Sequence, residues 1–389
     1  MPAVGPLRSA LLSLLRRVDR YRPRVFLGGF EVSDRLTPGL ASLGWDPYFA
    51  ANFQRLADDG TVPARVIADF GAEYLVHDGE AASRAAAGRR LRHDGLTLPA
   101  VGDWVALFKV EPLGSVHGVV ERRTVFSRRA ASVETKEQVL AANVDVAFVV
   151  AAATDVNPRR IERYLTIAWQ SGAMPVVLLT KADVADSPDE LREELEAVAM
   201  GTSVVVTSSV TGDGIDEVAR RLRPVLTGVI LGPSGAGKST LINRIAGTDV
   251  MRTRAIHRSG EGRHMTSHRQ LIQLPGGGMI IDTPGLREAQ LWQGGDVPGE
   301  QALANLFEDI EELALGCRFN DCAHVTEPGC AIKAALAGGS LDPGRLQSYR
   351  KLQRELRAVA AKTDARIRAE ERKRWQRIAV ANKAEGLSR

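Results

Sequence analysis

Cysteine is nearly absent from this chain: three residues in 389, all between Cys317 and Cys330. That scarcity excludes a disulfide-stapled secreted scaffold and leaves a local metal site as the role to test. Long apolar runs are lacking too. No stretch approaches the roughly 18 consecutive apolar residues of a membrane helix. The nearest, Val144 to Ala153, contains Asp145 and predicts a buried strand instead. The short apolar patch Ala10 to Leu15 runs into Arg16 and Arg17 without a small-residue cleavage site, unlike a secretory signal. A cytoplasmic protein with no membrane partner is expected. What is present is ordinary for a globular protein, 44% hydrophobic and 25% charged, which argues against wholesale disorder. The length exceeds what one core organises and predicts two or three domains.

Charge is unevenly placed. Residues 345–389 hold 14 Lys or Arg against 5 Asp or Glu, a net of +9, in a chain whose total is +4. The basic surplus therefore sits in the tail, where an extended helix would attract polyanions or simply be solvated.

Residues 1–60 read as irregular to helical, with Trp45 and Phe49 as packing anchors. From Thr61 to about Arg128 come short β-rich runs: Pro63 to Asp69, Tyr74 to His77, Val101 to Val110 and Val116 to Phe126. Such spacing predicts a small barrel or sandwich, the OB-fold being one that fits. Arg122, Arg123, Arg128 and Arg129 would suit nucleic acid, although scattered surface arginines are commoner. From Val144 onward strands and helices alternate. Strands are expected at Val144 to Ala152, Pro175 to Thr180, Ser203 to Thr207 and Thr227 to Leu231, with helices beginning near Pro158, Pro188 and Asp216. Alternation of this kind predicts a parallel sheet with helices on both faces, and ligands at the carboxyl ends of its strands.

One such end is Gly232-Pro233-Ser234-Gly235-Ala236-Gly237-Lys238-Ser239-Thr240, a full phosphate-loop match lying between an apolar strand and a helical pattern. Its glycines let backbone N–H groups face phosphates, Lys238 should reach the β- and γ-phosphates, and Ser239 should ligate Mg²⁺. The loop does not choose between ATP and GTP. Thr180-Lys181-Ala182-Asp183 resembles the [NT]KxD guanine motif of translation-factor-like GTPases. A carboxylate there can accept from guanine N1–H and its 2-amino group, donors that adenine does not offer in that pattern. Thr207-Ser208-Ser209 ends the next strand, where a second base-contacting loop would fall, placing Ser208 and Ser209 at the base. Ile280-Ile281-Asp282-Thr283-Pro284-Gly285 is a strand ending in DxxG, which sets Asp282 near Mg²⁺ and the Gly285 N–H near the γ-phosphate. Between the two lies Gly262-Arg263-His264-Met265-Thr266-Ser267, a mobile-switch candidate in which Thr266 is the second protein ligand of Mg²⁺.

The pieces thus run base motif, phosphate loop, switch threonine, DxxG: a circular permutation. Because termini of compact domains lie close together, moving the cut need not disturb the sheet. The second switch then leads straight into the C-terminal region, and nucleotide state is expected to be reported through that join. Past it, Cys317-x4-Cys322-x-His324-x5-Cys330 supplies three thiolates and an imidazole, the donor set of a closed, structural zinc site.

Together, the permuted order, the GRHMTS segment, the DTPG box, the Cys3His cluster and the β-rich front resemble the ribosome small-subunit-dependent GTPase A (RsgA/YjeQ) family over about residues 61–335. The resemblance implies an OB-fold touching ribosomal RNA, a GTPase core, a zinc domain, and action in late 30S maturation with hydrolysis stimulated by the subunit. Expected partners are GTP or GDP, the 30S subunit and its 16S rRNA; nothing demands more than a monomer. The family's switch reads His-Thr-Thr, whereas Met265 stands at the first threonine, so the Mg²⁺ role is carried to Thr266 alone. Leu286 follows the DxxG box where many GTPases have glutamine, and an aliphatic side chain cannot orient water. His264, with Lys238 and Gly285, is the catalytic candidate in line with the resemblance.

The expected fold class is a multi-domain α/β chain: an N-terminal OB-fold-like β-barrel, a circularly permuted P-loop GTPase domain and a C-terminal helical zinc-binding domain. Its expected segments are an extension (1–60), an OB-like RNA-binding domain (61–128), the GTPase domain (129–300), the zinc domain (301–345) and a basic helical tail (346–389). The rival readings are an ATPase with another activating partner and an RNA-binding scaffold whose nucleotide site is degenerate.

Overall fold

The computed structural model describes residues 38–93, 98–129, 137–199, 201–248, 269–282, 299–319, 322–325 and 327–363. Two helices come first, α1 (Pro38–Ser42) and α2 (Pro47–Leu56). Asp46 caps α2 by accepting from the Tyr48 N–H at 2.9 Å, and Pro47 supplies the first-turn residue that needs no N–H partner. Trp45 and Phe49 are buried, as expected of packing anchors: they cover Trp104 and Val120, with the Trp45 and Trp104 rings 4.6 Å apart in edge contact.

Five strands follow: β1 (Thr61–Asp69), β2 (Tyr74–His77), β3 (Ala82–Ala87), β4 (Trp104–Phe108) and β5 (Gly114–Val119), with α3 (Arg89–His93) after β3. They pair in the order β1-β2-β3-β5-β4, and β4 returns to β1 from Thr61↔Phe108 to Arg65↔Trp104, closing a barrel. Closure removes the sheet edges that a small β-domain would otherwise expose. Inward positions Val66, Val76, Ala85, Val105, Leu107 and Val116 form its core.

The single run expected from Val116 to Phe126 divides here. β5 stops at Val119, and β6 (Val125–Arg129) pairs instead with β7 (Glu137–Ala142).

The second half of the sheet contains β8 (Val146–Ala152), β9 (Met174–Thr180), β10 (Val204–Val206), β11 (Thr227–Leu231), β12 (Arg269–Gln273) and β13 (Met279–Asp282). Their order is β10-β9-β8-β11-β13-β12. All pairings are parallel except that of β12 with β13. Helices α4 (Pro158–Ser171), α5 (Pro188–Ala199), α6 (Ile215–Arg220) and α7 (Lys238–Ala246) connect them. Alternation along β8 sets Ala147, Val149 and Ala151 against Ile161, Leu165 and Leu195 on one face. Phe148 and Val150 meet Val218, Leu241 and Ile242 on the other. Helices therefore cover both faces, as a parallel sheet requires.

Barrel and sheet are continuous, because β1 also pairs with β12 at Ala68↔Gln270 and Asp69↔Arg269. Below this junction Arg65, 2% exposed, reaches out of the barrel. It donates to Thr227 Oγ1 at 2.8 Å, to the carbonyls of Gly102 and Asn143, and to the Leu43 carbonyl.

The C-terminal region is helical: α8 (Gly299–Leu306), α9 (Glu308–Leu315), α10 (Ala331–Ala337) and α11 (Pro343–Thr363). Leu346, Tyr349, Leu352 and Leu356 recur at helical spacing along α11 and join the core around α4. Burying each of the leucines contributes about 1.5–3 kcal/mol. Arg345 forks onto Asp309 at 2.7 and 2.8 Å and reaches Glu162 of α4 at 3.4 Å.

Candidate active site and metal centre

The phosphate loop leaves β11 at Leu231 and enters α7 at Lys238. Gly237 at the head of α7 has φ +84°, and Gly235 has φ +80° with open space where a Cβ would stand. Both conformations favour glycine, and the space at Gly235 leaves the backbone approachable by a ligand. Lys238 turns its ammonium onto the carbonyls of Gly232, at 2.9 Å, and Pro233. Ala236 is buried, Ser239 half-buried, and Ser234 and Thr240 exposed.

The base motif ends β9, two strands away from β11 with β8 between them. Buried Thr180 donates its hydroxyl to the Ala236 carbonyl at 2.8 Å, which ties the base motif directly to the phosphate loop. Lys181 adopts the left-handed conformation, φ 58°, and opens a short 3-10 turn, Ala182–Val184, that carries Asp183. The Asp183 carboxylate is exposed, and Ser208 donates to its Oδ1 at 2.6 Å. Ser208 is itself fixed: its Oγ accepts from the Val210 and Thr211 N–H groups, while the Thr207 carbonyl accepts from Ala182 N–H. Ser209 lies half-buried beside it. The tie through Thr180 and the orienting bond from Ser208 were not foreseen in the sequence. Their only signal was a hydroxyl residue at each of two strand ends.

Asp282 closes β13, opposite Gln270 of β12. Since β13 is the parallel neighbour of β11, Asp282 and the phosphate loop leave the same end of the sheet. His264, Thr266 and Gly285 lie outside the described residues, as does the join from residue 283 to 298.

The four metal-ligand candidates come together. The donor atoms of Cys317, Cys322, His324 and Cys330 all lie within 4.8 Å of one another. His324 Nδ1 is 3.5 Å from both Cys317 Sγ and Cys330 Sγ, and these sulfurs are 3.9 Å apart. A tetrahedral Zn²⁺ sets its ligands ~3.8 Å apart for two sulfurs and ~3.5 Å for sulfur and nitrogen. The donor set and its spacing fit that ion. Burial raises the Cys322 thiol to about 11, and the neighbouring sulfurs of Cys330 and Cys317 add to the rise. Without a cation among them, the neighbouring sulfurs disfavour the Cys322 thiolate. Burial opposes ionisation of Cys317 as well. There the N–H groups of Ala331 and Ile332, at the start of α10, outweigh it and lower the thiol. Arg350 of α11 donates to the His324 carbonyl at 2.7 Å, securing the loop at a histidine with φ 60°.

Two arginines considered for nucleic acid serve the fold instead. Arg122 forks onto fully buried Asp103 at 2.7 and 2.6 Å. Arg123 pairs with Asp46 at 2.5 Å and stacks over Tyr48 and Phe49 at 4.5 and 4.6 Å, fastening α2 to the barrel. The side chains of Arg128 and Arg129 lie outside the described residues. Arg345 and Arg350, the first basic residues of the tail, are likewise engaged internally.

Residues 119–292 match the family model described as RsgA GTPase. A small ribosomal subunit biogenesis GTPase RsgA from Opitutus terrae is 44% identical over 361 residues, covering 89% of this chain and 97% of its own length. The chain belongs to the RsgA family of GTPases. A protein of the same description from Streptomyces avermitilis is 45% identical over 354 residues, covering 89% of this chain and 93% of its own. Among solved structures, YjeQ from Thermotoga maritima is similar at 27% identity and a TM-score of 0.57, covering 76% of this chain and 98% of that one. YloQ, described as a circularly permuted GTPase, shares the fold at 24% identity and a TM-score of 0.55, covering 77% and 96%. In this RsgA-family chain the base motif on β9 precedes the phosphate loop after β11, which is the permuted order.

Proposed function

We propose that this chain hydrolyses GTP while acting on the small ribosomal subunit, and that the nucleotide spans from Asp183 to Lys238. The observation that carries this reading is the 2.8 Å bond from Thr180 to Ala236, which supports one continuous cradle rather than two separate cavities. At the base end, Ser208 holds one oxygen of Asp183 and so orients the carboxylate toward guanine donors; Lys181 and Ser209 flank it. At the other end, N–H groups of residues 232–240 and the start of α7 receive phosphate oxygens, while Lys238 exchanges its carbonyl partners for the β- and γ-phosphates.

Mg²⁺ would be held by Ser239, Asp282 and Thr266 and would neutralise charge on the transferring phosphoryl group. Hydrolysis breaks the bond between the γ-phosphorus and its bridging oxygen as a water oxygen bonds to that phosphorus. Leu286 cannot orient this water, which leaves the task to His264, with the Gly285 N–H on the γ-phosphate. Cys317, Cys322, His324 and Cys330 would hold one zinc ion in a structural role, because four protein ligands would leave no position for a substrate. The relatives' description as small-subunit biogenesis GTPases supports a cytoplasmic role on the 30S subunit and its 16S rRNA, with GTP and GDP as the two states. Among the described residues no helix is long and apolar enough to cross a membrane.

The deciding experiment is GTP turnover by the full chain with and without purified 30S subunits at two salt concentrations, alongside displacement of labelled GTP by ATP. Stimulation by subunits and no displacement by ATP are expected. Equal displacement by ATP overturns the guanine assignment, and absence of stimulation at both salts favours a scaffold or another activator.

A further inference from the structure

Several cations in this molecule are matched to carboxylates: Arg122 to Asp103, Arg221 to Glu217, Arg269 to Asp69 and Arg345 to Asp309. At one place cations gather without such partners. Between α4 and α11 lies a cavity of about 220 Å³ bordered by Arg159, Arg163, Lys351, Arg354 and Glu355. Arg163 is paired with Glu355 at 3.0 Å. Arg159 donates to the neutral Gln347 at 2.6 Å, and Arg354 gives its Nε–H to the Arg350 carbonyl. Among the residues that border it, four cations stand against one carboxylate, and Arg159, Lys351 and Arg354 are exposed. Exposed charge of one sign gathered in a groove attracts a polyanion, most strongly at low salt.

The cavity does not end there. Gln347 and Arg354 also border a groove of about 910 Å³ that runs to the metal loop at His324 and takes in Arg357. Lys351, Arg354 and Arg357 recur every third residue, ~9 Å along the helix from first to last. The cations therefore form a track and not a hole for one ion. Among the described residues the track has no exposed aromatic ring on which a base could stack.

We propose that this seam binds the phosphodiester backbone of RNA, with Arg159, Lys351 and Arg354 on the phosphates. Recognition is of backbone rather than base sequence. The inference rests on the ribosomal-subunit reading above and adds a surface to it, one that would clamp the GTPase helix α4 and the C-terminal helix α11 onto a single polyanion.

The test compares the full wild-type chain with the double reversal Arg159→Glu/Lys351→Glu and the conservative Arg159→Lys. Binding to purified 30S subunits and to naked 16S rRNA is measured across a salt series, with GTP affinity and basal hydrolysis followed in parallel. The reversal should weaken RNA binding at least about tenfold and flatten its salt dependence by roughly 0.7–0.9 per lost phosphate contact. Arg159→Lys should bind as wild type, and basal GTP turnover should be unchanged in both. Equal affinity and salt dependence in the reversal overturn the proposal, as does a wild-type chain that binds neither RNA. A wild-type chain that ignores 30S subunits but binds rRNA through these residues sinks the function reading and keeps the surface. Thermal stabilisation by inorganic phosphate that the reversal abolishes, with RNA affinity intact, would make the seam a small-anion pocket and overturn RNA as its occupant.

Discussion

The seam between barrel and GTPase sheet and the seam between α4 and α11 are both crossed by arginines, yet they are built oppositely. At the first, a single buried guanidinium, Arg65, meets acceptors from four segments, and burial lowers it only to about 10 because Asp145 and Asp103 support its charge. At the second, Arg345 is matched to Asp309, but beside it Glu162 is buried, and among the described residues Arg159, which acts on Glu162 only at longer range, Lys351 and Arg354 form no close ion pair. A seam whose polar groups are satisfied internally is a fixed joint. One with surplus charge at its mouth is stable only in contact with water or an anion.

The largest effect should come from breaking the first joint. Arg65→Ala leaves Asp145 without its buried counter-charge and opens a cavity, and should cost about 3–5 kcal/mol in denaturant unfolding. A loss under about 1 kcal/mol would show that the joint is not closed as described.

The second seam should respond to pH. Burial raises the Glu162 carboxyl above its ordinary 4.5, against the opposing Ser348 hydroxyl and Arg345 charge. The folded state then holds a proton that the unfolded chain releases, so stability is greatest below 4.5 and falls as pH rises through the elevated folded value. Glu162→Gln should flatten this decline in thermal melts between acid and neutral pH; an unchanged slope would clear Glu162 of it.

The smallest effect is the sharpest contrast. Lys351→Gln should alter unfolding free energy by no more than about 0.5 kcal/mol, because an exposed cation without a carboxylate contributes little to the fold. A larger loss would mean that Lys351 is structural and would erase the difference between the seams.

Much of the architecture could be read from the chain because its signals are local. The phosphate loop declared itself by glycine spacing between an apolar strand and a helix, and the Cys317 to Cys330 cluster by its donor types. Strands β1, β2, β8, β9 and β11 were visible as β-branched apolar runs. β3, written Ala-Ser-Arg-Ala-Ala-Ala, was not, because alanine carries almost no strand signal and pairing with β2 and β5 decides its conformation. β12 escaped for a related reason: it alternates weakly and is held antiparallel between β13 and β1. Arg122 and Arg123 looked like exposed cations until Asp103 and Asp46, distant in sequence, were seen to claim them.

Sequence alone therefore determined the local patterns this protein carries: a phosphate-loop match, a segment resembling a guanine motif ahead of it, and a cysteine-histidine cluster, each encoded within one short stretch of the chain. Only the tertiary structure decided how they are joined. Thr180 on Ala236, Ser208 on Asp183, Arg65 on Thr227 and the cationic seam of α4 and α11 link residues far apart in the chain. Hydrogen bonds and charge pairs act over a few ångströms, so they are set by what the fold brings together and not by what the chain writes side by side.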